Sequence, residues 1–262
     1  MLNYVSRGNP ESPAFLLLHG FMGSAGDWDH LAGALSEDFF CGAPDLPGHG
    51  GSAGLPDGAY TMEGAARAVV GLMDDIGVMR ATVAGYSMGG RLALYLALRH
   101  PERCAGLFLE SASPGIESSE ERASRHEADE ERALRLESGD FEEFLRDWYA
   151  QPLFASLERY EGMVERLIEV RKNNDPSELA KSLRGIGTGS QPSLRGELPR
   201  LRVPALAVAG ELDEKFADIA RQMAELSPKI RVELVPGAGH NVHLESTYVY
   251  TQLLREASEL EG

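Results

Sequence analysis

The chain has 262 residues, 43% of them apolar, enough to bury one large α/β core with room for an insertion. Its 41 Asp and Glu against 25 Lys and Arg leave a net charge of −16, which excludes nucleic acid or an anionic membrane as a partner held by the general surface field. No run of about 18 apolar residues could cross a bilayer, and Met1 to Pro10 lacks the charged start and apolar middle of a secretory signal, so a cytoplasmic protein is expected.

In chain order, Ala14 to Leu18 is a short aliphatic run closed by His19-Gly20, and Phe39 to Ala43 is another, closed by Pro44-Asp45. Both predict buried strands, with the glycine-rich DLPGHG that follows as a tight structural turn. Met62 to Ile76 has the apolar spacing of an amphipathic helix. A third strand, Ala81 to Ala84, runs into Gly85-Tyr86-Ser87-Met88-Gly89. The following segment, Gly90 to His100, is apolar nearly all round and stops at Pro101, so a helix buried against the sheet is expected. Gly106 to Leu109 reads as the next strand. From about 114 to 199 the strand signals vanish and charged helical text takes over, as in SSEERASRHEADEERALRLESG. Strand runs return at Ala205 to Ala209 and Val232 to Val235, and Ser246 to Leu260 closes the chain as an outer amphipathic helix. Cys41 and Cys104 are too few and too far apart for a disulfide framework or a zinc site and read as buried thiols.

Such βα alternation carries its active site at the carboxyl ends of the strands. Ser87 stands there, between an apolar strand and a buried helix, in the G-x-S-x-G pattern of a nucleophile elbow: small flanking residues relieve crowding while the serine takes a strained conformation. A serine needs an imidazole to take its proton and a carboxylate to orient that imidazole. His240, in PGAGHNVHLE, and Asp213, in AGELDEKF, each follow a late strand and complete the order Ser, Asp, His. His243 is a rival base and Glu110 a rival acid, while Glu211 and Glu214 read as solvated neighbours. Two backbone amides are expected to hold an oxyanion, those of Met88 after the nucleophile and Phe21 in the loop after the first strand. His19 reads as a residue that orders that loop.

This arrangement resembles the α/β-hydrolase superfamily from end to end and implies a mostly parallel central sheet flanked by helices. Residues 1–113 and 200–262 would form the core, and 114–199 a helical cap. GYSMGGRLAL, ESASPGI, EERASRHEAD, DWYAQPLF, RKNN, GELDEKF and GAGHNVHLE together resemble the 2-succinyl-6-hydroxy-2,4-cyclohexadiene-1-carboxylate synthases of menaquinone biosynthesis. That resemblance implies a lyase expelling pyruvate from a tricarboxylate, 2-succinyl-5-enolpyruvyl-6-hydroxy-3-cyclohexene-1-carboxylate, with the triad acting as base and no metal or organic cofactor. A serine hydrolase of a carboxylate-bearing ester or C–C bond substrate is the alternative. The resemblance also assigns carboxylate clamps to Arg91, Arg125 and Arg171, and pocket roles to Tyr86, Trp148 and Phe154. Arg91 lies one helical turn past Ser87, on the same face. Its partner is either the substrate or a protein carboxylate. Arg125 could instead pair with Asp129 at i,i+4, and Arg122 could take its place.

Overall fold

In a computed structural model, which describes residues 1–260, seven strands form one sheet. They are β1 (Tyr4–Arg7), β2 (Ala14–Leu18), β3 (Phe40–Pro44), β4 (Ala81–Tyr86), β5 (Cys104–Glu110), β6 (Ala205–Gly210) and β7 (Ile230–Val235). Their spatial order is β1-β3-β2-β4-β5-β6-β7; β1 runs antiparallel to β3 and every other pairing is parallel. The six strands expected from the sequence are present, while β1 is an addition. Its four residues are all exposed, so YVSR carries no buried apolar run to betray it.

Helices α1 (Asp29–Leu35), α2 (Met62–Asp75) and α3 (Met88–Arg99) lie within the first half of the chain. Four more fall between β5 and β6: α4 (Ser119–Ser138), α5 (Phe141–Tyr149), α6 (Met163–Arg171) and α7 (Pro176–Ile186). After β6 come α8 (Glu214–Leu226), α9 (Val242–Glu245) and α10 (Thr247–Ser258). Strand alternation sorts the core into two layers. Leu16, Leu18, Val83, Leu107 and Ala207 pack under α2, α3 and α8, whereas Phe15, Leu17, Ala84, Phe108 and Val208 pack under α1 and α10. A sheet covered on both faces explains why these strands read as unbroken apolar runs.

The four inserted helices build a third apolar cluster of their own from Ala133, Leu136, Phe144, Leu145, Leu157, Ile168, Leu179 and Leu183, joined by Met22 from the sheet side. Their starts are fixed by side-chain caps: Ser118 accepts from the Glu121 amide, Asp140 from Glu143, and Asp175 from Ser177 with Pro176 in the first turn. Among the described residues, no helix is long and apolar enough to cross a membrane.

The chain order places the site. After β2 the chain turns to one side to add β3, then crosses back to add β4 on the other side, so β2 and β4 flank a topological switch point. The loops leaving the carboxyl ends of these two strands diverge there and open a crevice. Phe21 leaves β2 and Ser87 leaves β4 at that crevice.

Candidate active site

Ser87 has φ 50° and ψ −105°, a conformation that a side chain rarely adopts. The surrounding glycines make it possible. A Cβ on Gly89 would press into the Leu18 carbonyl, and one on Gly85 would press into the Gly89 backbone. On Gly90 it would lie 2.7 Å from both the Ala112 side chain and the Gly85 carbonyl. Strand and helix therefore approach more closely than any larger residue permits, and the turn between them lifts the serine from the sheet edge. Its own amide donates to the Glu110 carbonyl at 2.8 Å, tying the elbow to β5.

His240 presents Nε2 to the Ser87 hydroxyl at 3.4 Å and Nδ1 to Asp213 Oδ2 at 2.6 Å. The serine contact is longer than an ordinary hydrogen bond. The Asp213 carboxylate also caps α8 by accepting from the Phe216 amide, which fixes its direction. Ser111, with φ 47°, donates from its hydroxyl to the His240 carbonyl at 3.0 Å and so holds the histidine loop from β5. The two rivals pair with each other: His243 donates from its backbone amide and from Nδ1 to the buried Glu110 carboxylate, at 3.1 and 2.8 Å. Glu110 and His243 thus satisfy one another beside the triad. Of the acids flanking Asp213, Glu211 accepts from the Gly237 amide, whereas Glu214 joins the wall of the main cavity.

His19 orders the first loop. The Leu46 amide donates to its Nε2 at 2.9 Å, so the ring proton sits on Nδ1, which donates to the Gly20 carbonyl at 2.7 Å. The Gly23 amide donates to the same carbonyl at 3.0 Å. With the Gly20 oxygen fixed twice, the trans Gly20–Phe21 peptide plane is fixed too, and the Phe21 N–H points to the opposite side. Asp45 closes the neighbouring turn by accepting from the Ala25 and Gly51 amides, each at 2.7 Å.

Burial lowers the pKa of His19 and takes that of His49, whose ring packs tilted against it at 4.9 Å, well below 6.5; the positive field of Arg171 acts in the same direction on both. Both imidazoles are neutral in the fold and protonate near 6.5 in the unfolded chain, so their contribution to stability is present above that pH and lost as pH falls below it. The melting temperature is expected to drop between pH 7 and pH 5, and His49→Leu should flatten that dependence. An unchanged slope in the variant would mean that His49 is not held neutral.

A cavity of about 830 Å³ opens above Ser87 and His240, within the range of small-molecule sites. Phe21 and Met88 line it from the sheet side, and Trp148, Leu153 and Leu183 from the inserted helices. Arg91 and Arg125 both reach it; Arg122 does not line it. Arg91 is buried and donates from one nitrogen to the Ile186 carbonyl at 2.8 Å and to Gln191 Oε1 at 3.0 Å. No carboxylate lies within ion-pair distance of it among the described residues. Burial, with the nearby Arg125 charge, lowers its pKa to about 10, so it remains a cation at neutral pH. Arg125 makes the i,i+4 pair with Asp129 at 2.8 Å while still lining the cavity. Arg132 shares the same Asp129 oxygen at 3.4 Å and lines the cavity as well. Its position in a charged helical run marked it no more than its neighbours, and only the fold turns it inward.

Arg171, expected as a carboxylate clamp, is paired within the protein. Both terminal nitrogens are engaged by Asp27, at 2.6 and 2.8 Å, and its Nε lies 3.4 Å from the Tyr149 hydroxyl. Burial opposes its charge, but Asp27 and Tyr149 outweigh that and raise its pKa. It stands apart from the main cavity, on a smaller one of about 50 Å³ that also touches Tyr86, Trp148, Phe154 and His240. The Tyr86 hydroxyl accepts from Asn241 at 2.9 Å, and its ring packs edge-on to His240 at 5.4 Å. Phe154 also meets that imidazole edge-on, 6.0 Å away, and Trp148 packs on Phe21 at 5.3 Å.

Residues 13–247 match the family model of the α/β hydrolase fold. A provisionally named 2-succinyl-6-hydroxy-2,4-cyclohexadiene-1-carboxylate synthase of Bacillus subtilis (strain 168) is 36% identical, over 95% of this chain and 91% of its own length. The synthase of that name from Escherichia coli O1:K1 / APEC is 34% identical over 91% of each chain. In three dimensions the chain superposes on MenH from S. aureus with a TM-score of 0.93 at 31% identity, over 99% of this chain and 98% of the other. Hydrolases and lyases share this scaffold, so the fold alone does not choose between them. The relatives, however, span the inserted helices as well as the sheet. The chain belongs to the α/β hydrolase fold family and, within it, to the family of 2-succinyl-6-hydroxy-2,4-cyclohexadiene-1-carboxylate synthases.

Proposed function

We propose that the protein eliminates pyruvate from 2-succinyl-5-enolpyruvyl-6-hydroxy-3-cyclohexene-1-carboxylate, with Ser87, His240 and Asp213 as its base and residues 114–199 as a cap that closes the reaction from water. The observation that carries this is Arg91: a buried cation on the wall of the cavity that holds the triad, with no carboxylate within ion-pair distance among the described residues. Leaving a charge in that state is costly unless the function uses it. The setting agrees. Five cationic side chains line the cavity against two acidic ones, in a protein whose net charge is −16.

In this reading Arg91, Arg125 and Arg132 receive substrate carboxylates at one end of the cavity. Asp129 balances only part of their charge and keeps the latter two guanidinium groups in place. Arg171, already neutralised by Asp27, is left out of the clamp. Trp148, Phe154 and Tyr86 form apolar walls around the triad.

The acidic C–H beside the succinyl ketone gives its proton to Ser87, whose own proton passes to His240. Asp213 holds the imidazole in the required tautomer and stabilises its protonated form. The Phe21 and Met88 amides would hold the resulting enolate oxygen. Its electrons shift through the ring double bond, the C–O bond to the enolpyruvyl group breaks, and the departing enolpyruvate takes up a proton to become pyruvate. No acyl-enzyme is required.

The test is direct. Incubation with the enolpyruvyl substrate should release pyruvate and raise the diene absorbance at equal rates. Robust ester hydrolysis without pyruvate release would replace this reading with that of a serine hydrolase.

A further inference from the structure

The Asp27–Arg171 pair lies beside the triad yet contributes no free charge to it, and it joins two parts of the molecule far apart in sequence. Arg171 ends α6 in the insertion, whereas Asp27 follows the loop that leaves β2. Both are largely buried, and the two parallel contacts of 2.6 and 2.8 Å form a fork, a geometry that fixes direction as well as distance. Asp27 is itself bound into that loop: its carboxylate accepts from the Ser24 amide at 3.4 Å. A Cβ on Gly23 would stand 2.6 Å from the same oxygen, so the carboxylate packs directly on the loop backbone.

A second contact from the insertion reaches the other end of the loop. Asn174, one turn past Arg171, donates from Nδ2 to the Met22 carbonyl at 2.9 Å and accepts from the Gly50 amide at 3.0 Å. Met22 is one of three non-glycine residues with positive φ among those described, at 62°. Such a backbone persists only where its surroundings hold it. The loop from Phe21 to Asp27 is thus gripped by the insertion at its strained residue and at its far end, and Phe21 is the residue whose amide is assigned above to the oxyanion.

We propose that Arg171 and Asn174 are positioning residues: seating of the helical insertion, through Asp27 and the Met22 carbonyl, sets the loop that carries the Phe21 amide and so completes the oxyanion site. This rests on the role given to Phe21 in the proposed function. It differs from a carboxylate clamp at Arg171 in requiring Asp27, an anion that would repel a substrate carboxylate.

The experiment compares Arg171→Gln, Arg171→Lys, Asp27→Asn, the Asp27→Asn/Arg171→Gln double variant and Asn174→Ala with the wild type. Pyruvate release gives kcat and KM, and the rate at which a neutral fluorophosphonate modifies Ser87 reports the oxyanion site without any substrate carboxylate. Thermal melting identifies the folded variants, and Asn174→Ala, which leaves no buried charge unpaired, serves if the ion-pair variants do not fold. Misplacement of a catalytic donor by about 1 Å costs roughly 100-fold, so kcat and the labelling rate are expected to fall by about 10- to 100-fold with KM nearly unchanged. The double variant should be no worse than either single one, and Arg171→Lys should recover part of the loss. Unaltered labelling in folded Asp27→Asn and Asn174→Ala would overturn the proposal. So would a rise in KM confined to Arg171→Gln, which is the behaviour of a clamp. A wild type that is labelled by the probe but releases no pyruvate would count against the elimination reading alone.

Discussion

Replacing Ser87 with alanine is expected to lower pyruvate release by at least about 10³-fold while the protein stays folded. The substitution removes one oxygen and leaves a residue of nearly the same size at φ 50°, so the strained elbow and the close approach of β4 to α3 are retained. What disappears is the group between the substrate C–H and His240. General bases typically contribute about 10²- to 10⁴-fold, and residues acting as one unit lose nearly the whole effect when any member is removed. Ser87→Ala, His240→Ala and their combination should therefore show similar residual rates. Parallel measurements of pyruvate release and melting temperature check this. A Ser87→Ala protein retaining more than about a tenth of the wild-type rate would remove the serine from the mechanism and leave His240 to act on substrate directly.

The sequence exposed those parts of this molecule whose physical demands are local. The strands from Ala14–Leu18 onward are buried on both faces, so each had to be an apolar run, and each was readable. The elbow was readable because the close approach at Gly85, Gly89 and Gly90 admits no side chain. β1 escaped because an exposed edge strand is defined by its partner β3 and has no pattern of its own. Chain order already favoured His240 over His243 and Asp213 over Glu110, but nothing in the sequence shows that the two rivals pair with each other. That geometry is set by three separate strand ends and emerged only with the fold. The same limit separated the arginines. Arg91, Arg125 and Arg171 look alike as charges in helical text, but an acid 144 residues away neutralises Arg171. Arg132 was passed over for the opposite reason: its inward direction comes from how α4 packs on α7, which one helix's spacing does not reveal.

Arg91→Met offers the sharpest separation of function from stability. Methionine keeps much of the buried stem and removes only the guanidinium fork. Because burial lowers the folded-state pKa to about 10 from 12.5, the folded protein binds the proton less tightly than the unfolded chain. The charge therefore works against folding at every pH below about 10, and this cost fades only as pH rises above it. Two neutral oxygens, on Ile186 and Gln191, and the more distant Asp129 charge offset part of the cost; no carboxylate among the described residues pairs with it directly. Removing the charge is expected to leave the melting temperature unchanged or raised, since a desolvated cation is often replaced by an apolar group without loss. Activity should move the other way. A charge-assisted hydrogen bond contributes about 1.5–3 kcal/mol, so kcat/KM for the tricarboxylate should fall by roughly 10- to 150-fold. Modification of Ser87 by a neutral fluorophosphonate should be spared, because that probe has no carboxylate to hold. Arg91→Lys should recover little of the loss, as a single ammonium cannot reproduce the planar fork. A protein that melts several degrees lower and loses reactivity equally toward both reagents would make Arg91 a strut between α3 and the insertion. Loss of elimination from an equally or more stable protein is what a buried charge kept for the substrate requires.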